Sequence, residues 1–174
     1  KDAALWSIVF SLLIIFLYIL LRFRKWQFSL GAVAAVFHDV IIVLSIFSIF
    51  YGILPFSLEI DQAFIAAILT IIGYSLNDTV VVFDRVREYM NLNKKKQIHE
   101  FMNSSLNSTL SRTINTSLTT FFVLLIIFIF GGEVIRGFMF ALMVGVVVGT
   151  YSSLFIASPI MLDTLKAKEL NNKK

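Results

Sequence analysis

Runs of apolar residues, broken by short polar stretches, leave this chain few ways to fold. An α-helix needs about 20 apolar residues to cross roughly 30 Å of hydrocarbon. Within lipid it also satisfies its own backbone N–H and C=O groups, which an open strand cannot do. Five such spans can be drawn, at about 3–21, 29–51, 62–83, 111–130 and 137–161. The fourth is the least regular. Its continuous apolar part, Phe121 to Phe130, is too short at ~1.5 Å per residue, so it must take in the Ser/Thr-rich stretch back to Ser111. The expected fold is an all-α integral membrane protein, a single bundle of five transmembrane helices. Hydrophobic residues make up 58% of the 174, against about 45–50% apolar in an ordinary soluble domain.

Basic residues fix the expected orientation. Arg22, Arg24 and Lys25 follow span one. Arg85, Arg87, Lys94, Lys95 and Lys96 lie in the connector 84–110, and Lys166, Lys168, Lys173 and Lys174 follow span five. The opposite side has Lys1, Arg136 and the acidic Glu59 and Asp61. This places the N-terminus outside and the C-terminus in the cytoplasm. The chain starts Lys1-Asp2-Ala3, without an initiator Met. With an odd number of spans and an external start, it reads as the membrane portion of something longer, preceded by a further helix.

Function classes narrow quickly. There is no cysteine, so thiolate metal sites and cysteine nucleophiles are excluded. His38 and His99 stand far apart with no HExxH, and neither GxxxxGK[ST] nor GxGxxG occurs. No enzyme activity, metal, cofactor or nucleic-acid partner is expected. The 84–110 connector reads as a solvated turn and a short interfacial helix, held by basic residues at anionic headgroups.

Small residues recur at every fourth position of span five: Gly137, Ala141, Gly145, Gly149, Ser153 and Ala157. Such a ladder lets a neighbouring backbone approach closely, which is how helices associate in lipid. Span three carries a second stripe, Ala63, Ala66, Ala67, Thr70, Gly73 and Asn77. Span four carries a polar one, Ser105, Ser108, Thr109, Arg112, Thr116, Thr119 and Thr120.

Ionisable groups inside the spans are the candidate functional residues, because a charge at mid-membrane costs about 2.5–3.5 kcal/mol or more. They are Asp78, Arg112 and Asp39, with His38 beside Asp39. Asp78 precedes the boundary residue Asp84 by six positions, roughly 9 Å inside it, and Asp39 lies roughly 15 Å deep. Asp78 and Arg112 are expected at similar levels on consecutive antiparallel helices. One reading is a structural ion pair, or an arginine that snorkels to the interface. The other is a carboxylate that gains and loses a proton as the arginine approaches and withdraws. Adjacent helical residues point about 100° apart, so His38 and Asp39 are not expected to form one bidentate site; one is expected to serve a relay while the other bonds a neighbouring helix.

Four stretches, "GAVAAVFHDVIIVLSIFSIF" (31–50), "GYSLNDTVVVFDRVRE" (73–88), "TLSRTINTSLTT" (109–120) and "FGGEVIRGFMFALMVGVVVGTYSSLFIASPIML" (130–162), resemble consecutive signatures of the SecF family. This is the SecD/SecF family of bacterial protein-export membrane subunits, within the resistance–nodulation–division (RND) superfamily. The resemblance implies a bundle of the RND/SecDF type. It corresponds to transmembrane helices two to six, without the first helix and extracytoplasmic domain. It implies a proton-motive-force-coupled accessory of Sec-dependent translocation in the bacterial cytoplasmic membrane. The implied partners are SecD, the SecYEG channel, the translocating preprotein and the lipid bilayer. It assigns Asp78 and Arg112 to a proton pathway, with Asn77, Thr79, His38 and Asp39 as secondary members. The alternatives are an RND-type exporter of small molecules or lipids, and a structural scaffold with an inert Asp78–Arg112 pair.

Overall fold

The computed structural model describes residues 2–92 and 98–171. Lys1, Lys94, Lys95, Lys96, Lys173 and Lys174, used above for orientation, lie outside the described residues. The chain forms α1 (Asp2–Phe23), α2 (Trp26–Phe50), α3 (Gln62–Leu92), α4 (Ile98–Phe130) and α5 (Glu133–Ser152). A widened π turn (Ser153–Ala157) then leads into α6 (Ser158–Asn171). Among the described residues no strand is present. Four stretches, Trp26–Phe50, Gln62–Leu92, Glu100–Phe130 and Glu133–Ala167, are long and apolar enough to cross a membrane. α1 adds 22 residues, about 33 Å of helix. The five-helix architecture expected from the apolar runs is the one observed.

Local chemistry sets the helix ends. α1 closes on Arg24, which adopts a left-handed φ of 56° and donates its N–H to the Leu20 carbonyl at 2.7 Å. That geometry normally falls to glycine or asparagine. α3 opens at Asp61, whose Oδ1 accepts the Phe64 N–H at 2.8 Å, a side-chain N-cap. Pro159 lacks an N–H and crowds the carbonyl four residues earlier. The helix accommodates it in the π turn just before, where the Ser158 hydroxyl donates to the Ser153 carbonyl at 2.9 Å.

The 84–110 connector differs from expectation. Its described residues are helical, 84–92 as the end of α3 and 98–110 as the start of α4. Phe83 and Val86 on α3 and Phe101 and Met102 on α4 share one buried cluster, so tertiary packing extends both helices past the apolar runs.

α5 packs against α2, α3 and α4, while α1 packs on α2. Two apolar cores result. One holds Ile19, Phe23, Phe28, Phe83 and Met161 at the end that carries Arg22, Asp84 and Arg85, the basic end. The other holds Val43, Phe47, Phe64, Ile71 and Leu142 towards the opposite end. On α2, α3, α5 and the π turn a polar belt, Asp39, Ser75, Thr79, Ser152 and Ser153, falls between the residues of the two cores. All five are buried.

Candidate functional site

The belt is assembled by the span-five ladder. α3 and α5 run parallel, and Ile71, Ser75 and Thr79 meet Gly145, Gly149 and Ser153 in turn. A Cβ on Gly145 would overlap the Ile71 side chain, and one on Gly149 would come within 3.0 Å of Ser75 Cβ. Gly137 faces the Ser57 carbonyl, where a Cβ would stand 2.5 Å away. Ala141 and Ala157 are fully buried. A ladder of small residues therefore brings α5 close enough for its serines to reach α2 and α3.

The span-three stripe behaves differently. Ala63, Ala66, Thr70, Gly73 and Asn77 are exposed in this chain, and only Ala67 of that set is buried. A Cβ on Gly73 would meet nothing within 4 Å. The reason is geometric. α3 has a second face, 67/71/75/79, and the shape of Ile71 and Ser75 against Gly145 and Gly149 commits that face to α5. The expected packing face is left open.

Asp39 is the best-bonded ionisable group. Its Oδ2 accepts from Ser75 at 2.6 Å and from Ser152 at 2.8 Å, and its Oδ1 lies 3.1 Å from His38 Nδ1. The two neighbours therefore also touch each other, through the Asp39 oxygen that does not bond the other helices. Asp39 thereby links α2 to α3 and α5, while His38 remains partly exposed beside the Tyr151 ring. Next to this group the Thr79 and Ser153 hydroxyls are 2.9 Å apart.

Asp78 is buried but sparsely bonded. Its Oδ2 is 3.5 Å from the Ser117 hydroxyl of α4, at the limit of a hydrogen bond. Ser117 also lies 2.5 Å from Thr150 Oγ1 on α5 and accepts from Tyr74 at 3.4 Å. An ionised carboxylate has about four acceptor positions, so Asp78 keeps most of its capacity unused.

The direct Asp78–Arg112 pair is not found. Among the described residues the ion pairs are Arg22–Asp84, His38–Asp39, Arg85–Glu88 and Lys166–Asp163. The helix register explains this. The Asp78–Ser117 and Arg85–Ser108 contacts set α3 against α4 so that Arg112 is level with residues 81–83, roughly one turn nearer the basic end than Asp78. Arg112 is exposed there and lines a cavity of about 380 Å³ with Val81, Asp84, Glu88 and Thr109.

α4 buries Ser105, Thr109, Thr113 and Ser117, one residue per turn, and leaves Arg112, Thr116 and Thr119 exposed. Ser75, Ser117, Thr150 and Ser152 were not singled out from the sequence. Ser117 continues the Ser105–Thr109 register, which is the signal that could have found it. Among the described residues no three His, Asp or Glu side chains converge on a possible metal site.

The arrangement matches known proteins. Residues 1–167 match the family model for the protein export membrane protein SecD/SecF, C-terminal. The chain is 65% identical over 163 residues to the protein translocase subunit SecF of Rhodothermus marinus, covering 94% of this chain and 53% of that one. It is 44% identical to the SecF of Petrotoga mobilis, covering 99% and 55% respectively. The chain thus spans about half the length of these curated relatives. Its fold is similar to a crystal structure of SecDF in a super-membrane-facing form, with a TM-score of 0.83 and 40% identity, covering 98% of this chain and 22% of that one. It is also similar to SecDF from Thermus thermophilus, with a TM-score of 0.81 and 42% identity, covering 94% and 22%.

Proposed function

The chain belongs to the SecD/SecF family of protein-export membrane proteins, and from that premise we propose that it is the membrane core of a SecF-type subunit. It acts in the bacterial cytoplasmic membrane as an accessory of Sec-dependent protein translocation. It couples the proton motive force to that work through Asp78. The observation that carries the assignment is the contrast between the two buried carboxylates. Asp39 is held by two short hydroxyl bonds and a histidine, whereas Asp78 has one contact at 3.5 Å. A carboxylate that already bonds three groups is poorly placed to exchange a proton, and one with open acceptor positions is well placed.

In this reading Arg112 is the movable counter-charge. A small slide of α4 along α3 brings it towards or away from Asp78, and the Asp84–Glu88 cavity gives water a route from the basic end. The basic end faces the cytoplasm, with the N-terminus outside and the C-terminus inside. The open face of α3 and the exposed Arg112, Thr116 and Thr119 of α4 take helices of SecD, which complete the path. SecYEG and the translocating preprotein are partners of the whole assembly. The chain needs no cofactor and catalyses no covalent reaction.

The test is Asp78→Asn in the full-length subunit, followed by proton-gradient-dependent export of a secreted substrate at normal protein level. A strong export defect is expected. Export at the wild-type rate would favour a scaffold with an inert charge pair, and loss of drug or lipid efflux with export intact would favour a small-molecule exporter.

A further inference from the structure

At the basic end, the turn joining α1 to α2 and the last turns of α3 enclose a cavity of about 480 Å³. Four of its lining residues are the bases Arg22, Arg24, Lys25 and Arg87, and among the described residues none is acidic. Its walls also include the apolar Leu21 and Phe28. Arg22 is bound on its outer side to Asp84 at 2.8 Å, and Arg87 donates to the Arg22 carbonyl at 3.1 Å. Those two bonds tie Arg22 and Arg87 to each other and to Asp84.

Three features make this more than a charged surface. Arg24 occupies the left-handed closing position of α1 at φ 56°, where glycine would sit without strain. A base is kept there against local preference. The cavity is lined by the exposed Leu21, and the exposed Trp26 lies in the chain between the lining residues Lys25 and Phe28; Trp is the residue that marks the headgroup level. The first turn of α2, which carries the lining residue Phe28, presents backbone N–H groups at the same end.

We propose that this cavity binds the phosphodiester headgroup of one anionic phospholipid, with Arg24 and Arg87 as its main ligands and the acyl chains running along Leu21. The site lies at the α1–α2 turn, and its Arg22 pairs with Asp84, which also lines the cavity of Arg112; of the two cavities, its main ligands, Arg24 and Arg87, line only this one. A lipid is favoured over a free anion because the cationic rim and the apolar wall adjoin at headgroup depth.

The experiment is native mass spectrometry of the full-length complex, titrated with phosphatidylglycerol, with phosphatidylcholine, and with inorganic phosphate as competitor. One phosphatidylglycerol per subunit is expected to survive activation that strips phosphatidylcholine. Each cation removed should weaken it about fivefold, so the Arg24→Gln/Arg87→Gln double variant should lose about 30-fold. Arg24→Gly removes a charge while relieving the backbone, so it reads binding without risk to folding. Lys166→Gln, at the same end but outside the cavity, should change nothing. Equal retention of the two lipids would overturn the proposal. So would equal losses in Lys166→Gln and Arg24→Gly, or full displacement by millimolar phosphate.

Discussion

The Ser117 hydroxyl on α4 stands 3.5 Å from Asp78 Oδ2 on α3 and 2.5 Å from Thr150 Oγ1 on α5. One serine thus joins three helices at the level of the sparsely bonded carboxylate. Ser117→Ala should leave the fold nearly intact, with a stability change of about 1 kcal/mol, because Thr150 keeps its bond to the Val146 carbonyl and the Asp78 contact is long. Proton-dependent export should nevertheless fall several-fold, in the manner of an acid–base group that has lost its relay (~10²-fold at most). Parallel measurement of melting temperature and export rate checks this. An equal fall in both would make Ser117 a packing residue only.

Asp39 gives the opposite expectation. Asp39→Ala leaves the buried Ser75 hydroxyl without its acceptor, at about 1–3 kcal/mol, and leaves Ser152 only its bond to the Gly149 carbonyl. The melting temperature of the detergent-solubilised full-length protein should drop clearly. Asp39→Asn keeps one acceptor oxygen and should lose less. If Asp39→Ala melts like wild type, the linking role assigned to the belt is wrong.

The two glycine faces separate folding from assembly. Gly145→Val places branched carbons against Ile71, and overpacking of this kind costs about 1–3 kcal/mol. Gly73→Val meets open space in this chain. It should leave the subunit folded while weakening its co-purification with SecD. Pull-down yield against thermal stability distinguishes the two. Normal pairing in Gly73→Val would remove the open α3 face from the interface.

In the proposed mechanism Arg112 acts on Asp78 from about one turn away rather than in contact. Arg112→Gln should therefore impair proton-dependent export about as strongly as Asp78→Asn. Arg112→Lys should fall between, since it keeps the charge but loses the guanidinium fork. Export rates in the two variants, normalised to protein level, give the answer. Wild-type export in Arg112→Gln would exclude the counter-charge role.

These contrasts mark what the sequence could carry. The apolar runs and the four-residue ladder from Gly137 to Ala157 were legible because each states its own period. The ladder's register against Ile71, Ser75 and Thr79 was not, since it depends on the shape of side chains on another helix. The same holds for Arg112. Depth counted from the ends of two apolar runs missed by a turn, because α3 and α4 both continue past those runs and packing sets their relative slide. Asp39 was visible as a buried charge, but its serine partners were ordinary small residues until α5 brought them beside it.

The central claim is that Asp78 exchanges protons while Asp39 is held in place. Proton flux into liposomes containing the full-length complex, followed with an internal pH dye under an imposed gradient, tests it directly. Flux should fall to the level of empty liposomes in Asp78→Asn and persist, per assembled complex, in Asp39→Asn. Wild-type flux through correctly assembled Asp78→Asn would contradict the account.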